Sequence, residues 1–267
     1  MQTLNRTRLW LFCCMLSGAA LLSQLGSATR VNARDTEEKS GTFSGQVVLD
    51  GEVPKLAPAA TANGFKGEDL KVCGIQEVPD ERLIVDPKSK GIANVFVYLA
   101  KAPVGMPAEL KKSQQPIVKF GQKALQFVPH ALLIRTDQTA HIQSKDKVDH
   151  HAHFHPARNV PYGEPYTAPD EIVSRTFKHP ERQPFEVSCD VHPWMHAWWL
   201  VLDHPYSAIT DATGRFRIGD LPPGDHEFVV WQERAGYIER TFKVKIDGQQ
   251  KPLSETIKVP VAKFKLE

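Results

Sequence analysis

The sequence predicts an all-β protein, and three observations carry that expectation. Short runs rich in Val, Ile, Phe, Trp and Thr recur through the chain, at residues 45–49, 93–99, 132–135, 184–189, 198–202, 215–218, 227–231 and 241–246. Turn signals such as Asp50-Gly51, Pro222-Pro223-Gly224 and Asp247-Gly248 bound many of them. Twenty prolines fit strand edges and connections better than the interior of helices or central strands. Only residues 107–113 and 62–72 have the composition of short helices. Many short strands with this punctuation point to sandwiches or barrels.

The chain opens with a secretory pattern. Residues 1–8 carry Arg6 and Arg8 and no acid, residues 9–22 are an apolar run, and Gly26-Ser27-Ala28 supplies small residues for cleavage. The run is shorter than the roughly 20 residues a bilayer span needs. We therefore expect a signal peptide over 1–28, a periplasmic or secreted location, and no membrane span in the mature chain. Residues 29–41 are polar and aperiodic, which predicts a flexible tether.

Charge excludes some partners. The chain has 33 Lys+Arg against 31 Asp+Glu, and Arg6 and Arg8 leave with the signal, so the mature protein carries 31 of each. A formally neutral chain offers no electrostatic footprint for nucleic acid or anionic lipid. Of four cysteines, Cys13 and Cys14 also leave, and Cys73 and Cys189 remain. In an exported protein two cysteines commonly form a disulfide, which is the competing fate of Cys189.

The strongest chemical signal is Ser188-Cys189-Asp190-Val191-His192-Pro193-Trp194-Met195, which puts a thiolate, an imidazole and a thioether at Cys-x2-His-x2-Met spacing. Soft sulfur with borderline nitrogen suits copper, and a trigonal His2Cys set with a weak axial Met is acceptable to both of its oxidation states. The second histidine must come from another strand. In Asp149-His150-His151-Ala152-His153-Phe154, a strand turns His150, Ala152 and Phe154 to one face and His151, His153 and His155 to the other. Phe154 marks the first face as buried, so His150 points inward. The outward row is a candidate second metal site, weighed against a plain solvated face because the sequence identifies no carboxylate partner for it. His130 reads as structural.

These residues resemble the copper-binding half of the cupredoxins over residues 115–203. The Cys-x2-His-Pro-x-Met loop is similar to the short loop of amicyanin. Phe127-Val128-Pro129-His130 and the stretch 137–142 are similar to the family's entry strands. The resemblance implies a Greek-key β-sandwich holding one type 1 copper ion through His150, Cys189, His192 and Met195, with one-electron transfer as its work. The chain has His151 where the family usually carries an Asn that bonds across to the cysteine loop, so His151 takes that supporting place. Trp194, inside the ligand loop, is the candidate docking patch for a redox partner protein.

The flanks resemble a different family. Ser44-Gly45-Gln46-Val47 and Asn94-Val95-Phe96-Val97-Tyr98 look like the first half of a carboxypeptidase-regulatory-like, transthyretin-type (prealbumin-like) sandwich. Residues 211–216 (DATGRF) and 221–228 (LPPGDHEF) look like its second half. The economical expectation is a cupredoxin inserted into a prealbumin-like sandwich built from 42–104 plus 204–267. Domain insertion is tolerated because domain termini often lie close together. The combination is similar to exported proteins of methylamine-utilization type. No Gly-x-Ser-x-Gly, His-Glu-x-x-His or Gly-rich phosphate loop occurs, so the reading is a non-enzymatic electron carrier. Copper storage or delivery with the same ligands, and a structural or adhesion sandwich without metal, are the alternatives.

Overall fold

Strands with one apolar face must bury it against another layer, and the alternation of side chains along each strand decides which layer that is. The computed structural model describes residues 40–65, 67, 69, 77–166, 171–248 and 253–266. The expected signal peptide, nearly all of the tether, and Cys73 lie outside the described residues.

In chain order the strands are β1 (Gly41–Asp50), β2 (Ala60–Thr61), β3 (Glu77–Val78), β4 (Phe96–Leu99), β5 (Ile117–Lys123) and β6 (Gln126–Val128). There follow β7 (Ala131–Arg135), β8 (Thr139–Ser144), β9 (His150–Phe154), β10 (Tyr162–Tyr166), β11 (Ile172–Thr176) and β12 (Phe185–Cys189). The last six are β13 (His196–Leu202), β14 (Ser207–Ile209), β15 (Arg215–Leu221), β16 (Gly224–Gln232), β17 (Gly236–Ile246) and β18 (Leu253–Pro260). The protein is all-β. Of the two stretches expected as short helices, 62–72 holds a 3-10 turn at Ala62–Gly64 and helical backbone at Gly67 and Asp69, and 107–113 holds a 3-10 turn at Ala108–Lys111. Proline stands before the second turn and no apolar stripe runs long enough to extend it. No described helix is long and apolar enough to cross a membrane.

Two sheets come from the ends of the chain. One has the order β15-β1-β18 and the other β14-β4-β16-β17. The first strand pairs in parallel with the last, Val47 opposite Ile257. Two more sheets come from the middle, β10-β9-β12-β13-β7 and β11-β8-β5-β6, and β2-β3 is a small separate pair. The turn at residues 211–216 is built by its own side chain: Asp211 Oδ1 accepts from the N–H groups of Thr213 and Arg215, and Gly214 takes φ +79°. There the carbonyl of Val47 would lie 2.3 Å from a Cβ, so only glycine fits.

Alternation sorts the apolar residues into three clusters. Phe43, Val95, Val97, Leu99, Phe228 and Val230 belong to a core drawn from the two ends of the chain. Phe120, Phe154, Phe185, Val187, Trp199 and Val201 belong to a core drawn mainly from the middle. Phe65 and Val78, although inside 42–104, are buried in that second core. Phe96 and Tyr98 of β4, Leu200 and Leu202 of β13, and Val229 and Trp231 of β16 form a third cluster. β4 and the second half of β13 are therefore buried on both faces. That is why both read as unbroken apolar runs.

Trp199 is wholly buried and packs edge-on against Phe120 and Phe154, with ring centroids 4.7 and 5.2 Å away. Trp199→Ala is expected to cost about 3–5 kcal/mol of stability in urea denaturation. Hydrogen exchange is expected to localise that loss to the strands of the second core. Protection lost equally from β1 and β17 would show that the cores do not respond separately.

Candidate metal centre

Strand β9 begins at His150 and buries alternate residues, so the His150 imidazole enters the second core. Neighbouring β12 ends at Cys189 with the same alternation, and Ala152 sits opposite Cys189 in the pairing of the two strands. The turn that follows is short and closed. Met195 N–H donates to the carbonyl of His192 (2.9 Å), and Cys189 N–H donates to the carbonyl of Met195 (3.2 Å). This geometry folds His192 back over Cys189.

Three donor atoms meet as a result. His150 Nδ1 lies 4.0 Å and His192 Nδ1 3.7 Å from Cys189 Sγ, and one ligand atom from each residue lies within 4.8 Å of the others. All four expected ligands are buried, with exposures of 1 % for His150, 4 % for Cys189, 1 % for His192 and 2 % for Met195. Among the described residues Cys189 is a free cysteine.

Buried carboxylates hold the far side of both rings. His150 Nε2 is 3.1 Å from Asp146 Oδ2, and His192 Nε2 is 3.4 Å from Asp69 Oδ1. A carboxylate on Nε2 fixes a proton there and orients each ring so that Nδ1 faces the sulfur. Asp146 is itself anchored by the N–H groups of Ala124 (2.6 Å) and Leu125 (3.0 Å). Burial alone would raise its carboxyl; hydrogen bonds from His150, Leu125 and Ala124 outweigh burial and hold it below the usual range.

The same competition governs the sulfur. Burial opposes ionisation of Cys189, but hydrogen bonds from His150 and His192, and from the backbone N–H groups of His151 and His192, bring its pKa from 9.0 to about 5. At neutral pH the group is a thiolate. Burial also opposes charge on His150, yet Asp146 and the thiolate raise its pKa above the ordinary value.

A cation at this point would take the place of the hydrogen bonds that the two imidazoles make to the thiolate. A trigonal first-row ion with bonds of about 2.3 Å to sulfur and about 2.0 Å to nitrogen sets the donors about 3.7 Å apart. The Sγ–Nδ1 separations of 3.7 and 4.0 Å match that spacing. The residues present therefore fit an ion of this class.

The other sequence candidates fall around this centre. The backbone of His151 reaches the sulfur, while its side chain turns outward to Asp190, with Nδ1–Oδ2 2.9 Å. Trp194 is half-buried, not open. Its Nε1–H donates to the carbonyl of Leu125 (3.3 Å), and its ring lies 5.2 Å from His192 and 5.3 Å from Phe65. His130 pairs with Glu233 and is not among the grouped donors. Sequence reasoning missed Asp146 and Asp69. Asp146 stands four residues before His150 and could have been suspected as its partner. Asp69 lies 123 residues from His192, and nothing in the chain announces the pairing.

No family model matches the sequence, and no curated protein matches it significantly. Solved structures similar to parts of it are cupredoxins and a copper enzyme. Amicyanin from Paracoccus versutus is 17 % identical over 39 % of this chain and 96 % of its own, with a TM-score of 0.28. A purple cupredoxin from Nitrosopumilus maritimus is 16 % identical over 31 % of this chain and 97 % of its own, with a TM-score of 0.26. The copper-containing nitrite reductase of Thermus scotoductus is 21 % identical over 38 % of this chain and 25 % of its own, with a TM-score of 0.29.

Proposed function

We propose that this is an exported type 1 copper protein that carries single electrons, with one ion held by His150, Cys189, His192 and Met195. The observation that carries the reading is the convergence of both Nδ1 atoms on a buried thiolate while carboxylates occupy both Nε2 positions. Bound copper would supply one-electron chemistry between its Cu(II) and Cu(I) states. The residues supply everything else. Hydrogen bonds from the two imidazoles and from the backbone N–H groups of His151 and His192 keep the sulfur ionised. Asp146 and Asp69 hold each ring in one tautomer and one orientation, and burial keeps water from adding to the centre.

Burial also favours electron transfer over the alternatives. A delivery protein must present its ion to a partner's ligands, and a catalyst needs an open position for substrate. Ligands exposed by 4 % or less offer neither. Electrons need no such opening, and the half-buried Trp194 ring lies 5.2 Å from that of His192. The secretory pattern at 1–28 supports a periplasmic or secreted location, where a redox partner protein would dock.

We read the architecture as a cupredoxin sandwich near 115–203 inserted in a prealbumin-like sandwich made from 42–104 and 204–267. The segregation of the first two hydrophobic clusters supports this reading. The hydrogen-exchange response to Trp199→Ala is its test.

Reconstitution with Cu(II) is expected to give an intense visible thiolate-to-copper band that Cys189→Ser abolishes while the fold, followed by circular dichroism, persists. A band surviving in that variant would remove Cys189 from the ligand set. Asp146→Asn is expected to weaken copper binding by about 10–100-fold, the usual loss when a partner behind a ligating histidine is removed. Competition against a chelator of known affinity measures this, and unchanged affinity would mean that Asp146 does not orient His150.

A further inference from the structure

The strand that turns His150 inward turns three more imidazoles outward. His151, His153 and His155 line the outer face of β9 and its end. Ring centroids of His151 and His153 are 6.2 Å apart and those of His153 and His155 4.6 Å, with both pairs within 23° of parallel. What the sequence could not identify was an anionic partner for this row. The pairing of β9 with β12 supplies one. Ser188 lies opposite His153, and the next outward residue along the chain is Asp190, just past the end of β12. Its Oδ2 stands 2.9 Å from His151 Nδ1 and 3.6 Å from His153 Nδ1. A single carboxylate oxygen thus lies between two imidazole nitrogens.

The surroundings leave room for an ion. Side-chain exposures are 39 % for His151, 39 % for His153 and 46 % for Asp190, so the group is open to solvent. On the other side, β10 places Gly163 opposite His153. A Cβ at Gly163 would lie 2.8 Å from His151 Nε2, so any side chain there would crowd the ring. His155 is held beside the row by its Nε2 contact with Ser188 Oγ (2.9 Å).

We propose that this outer face is a second metal site, which takes a divalent Cu(II), Zn(II) or Ni(II) ion through His151, His153 and Asp190, with His155 as the adjoining donor. Imidazole nitrogen with carboxylate oxygen suits these borderline ions, and Cu(II) binds such a set tightest. With no thiolate among the donors, the site is distinct in chemistry from the buried centre and has no charge-transfer colour. The two sites share a backbone: His150 and Cys189 face inward, and their chain neighbours His151 and Asp190 face outward. The inference is independent of which ion the buried centre holds.

The test is calorimetric titration of the full-length protein with Zn(II), comparing wild type with His153→Ala/His155→Ala and with Asp190→Asn. The buried centre contributes equally to wild type and to the double-alanine variant. The proposal expects wild type to take up one equivalent more than the double-alanine variant. It also expects Asp190→Asn to bind that equivalent at least about tenfold more weakly. Circular dichroism confirms folding, which the exposed positions of the replaced side chains favour. Equal stoichiometry and affinity in wild type and the histidine variant would overturn the site. An unchanged affinity in Asp190→Asn would overturn the mixed histidine–carboxylate set.

Discussion

Everything around the candidate centre follows from the cost of holding electron-rich atoms together in a dry interior. Two imidazole nitrogens and a thiolate are brought to within 4.8 Å of one another, where an uncompensated charge is expensive. The protein meets that cost with fixed dipoles and charges behind the donors. The N–H groups of His151 and His192 face the sulfur, and the carboxylates of Asp146 and Asp69 face the ring nitrogens on the far side. Asp146 in turn rests on two more N–H groups. Each layer of polar groups is satisfied by the next, so the donors remain aimed at one point.

The period of two along a β-strand does the sorting that makes this arrangement compatible with folding. On β9 and β12 it sends His150 and Cys189 to the core and the next residue of each chain segment to solvent. On β13 it sends Trp199 and Val201 to the second hydrophobic cluster and Leu200 and Leu202 to the third. One strand thus serves two layers, and a shift of one residue in register would exchange them all. The third cluster is the physical link between the core from the chain ends and the core from the middle.

Much of this was legible in the sequence because it is local. The Cys-x2-His-x2-Met spacing lies on one turn, and the inward facing of His150 follows from Phe154 four residues on. The strands recovered from composition, such as β4, β7, β12, β13 and β16, are those rich in Val, Ile, Leu and aromatic residues. β10 (YGEPY) and β11 (IVSRT) carry glycine, proline or polar residues because they lie at sheet edges, and their composition hides them. Long-range pairings left no mark. Neither the parallel match of β1 with β18 nor the reach of Asp69 to His192 has any local signature. The segment carrying Phe65 and Asp69 therefore read as part of the first sandwich, although Phe65 packs into the second core.

The most direct test of the central claim is X-ray absorption at the copper edge of the reconstituted full-length protein. The account requires one short copper–sulfur bond and two copper–nitrogen bonds, with any further sulfur at longer distance. A shell of nitrogen and oxygen alone, or two equally short sulfurs, would contradict a centre built on His150, Cys189 and His192.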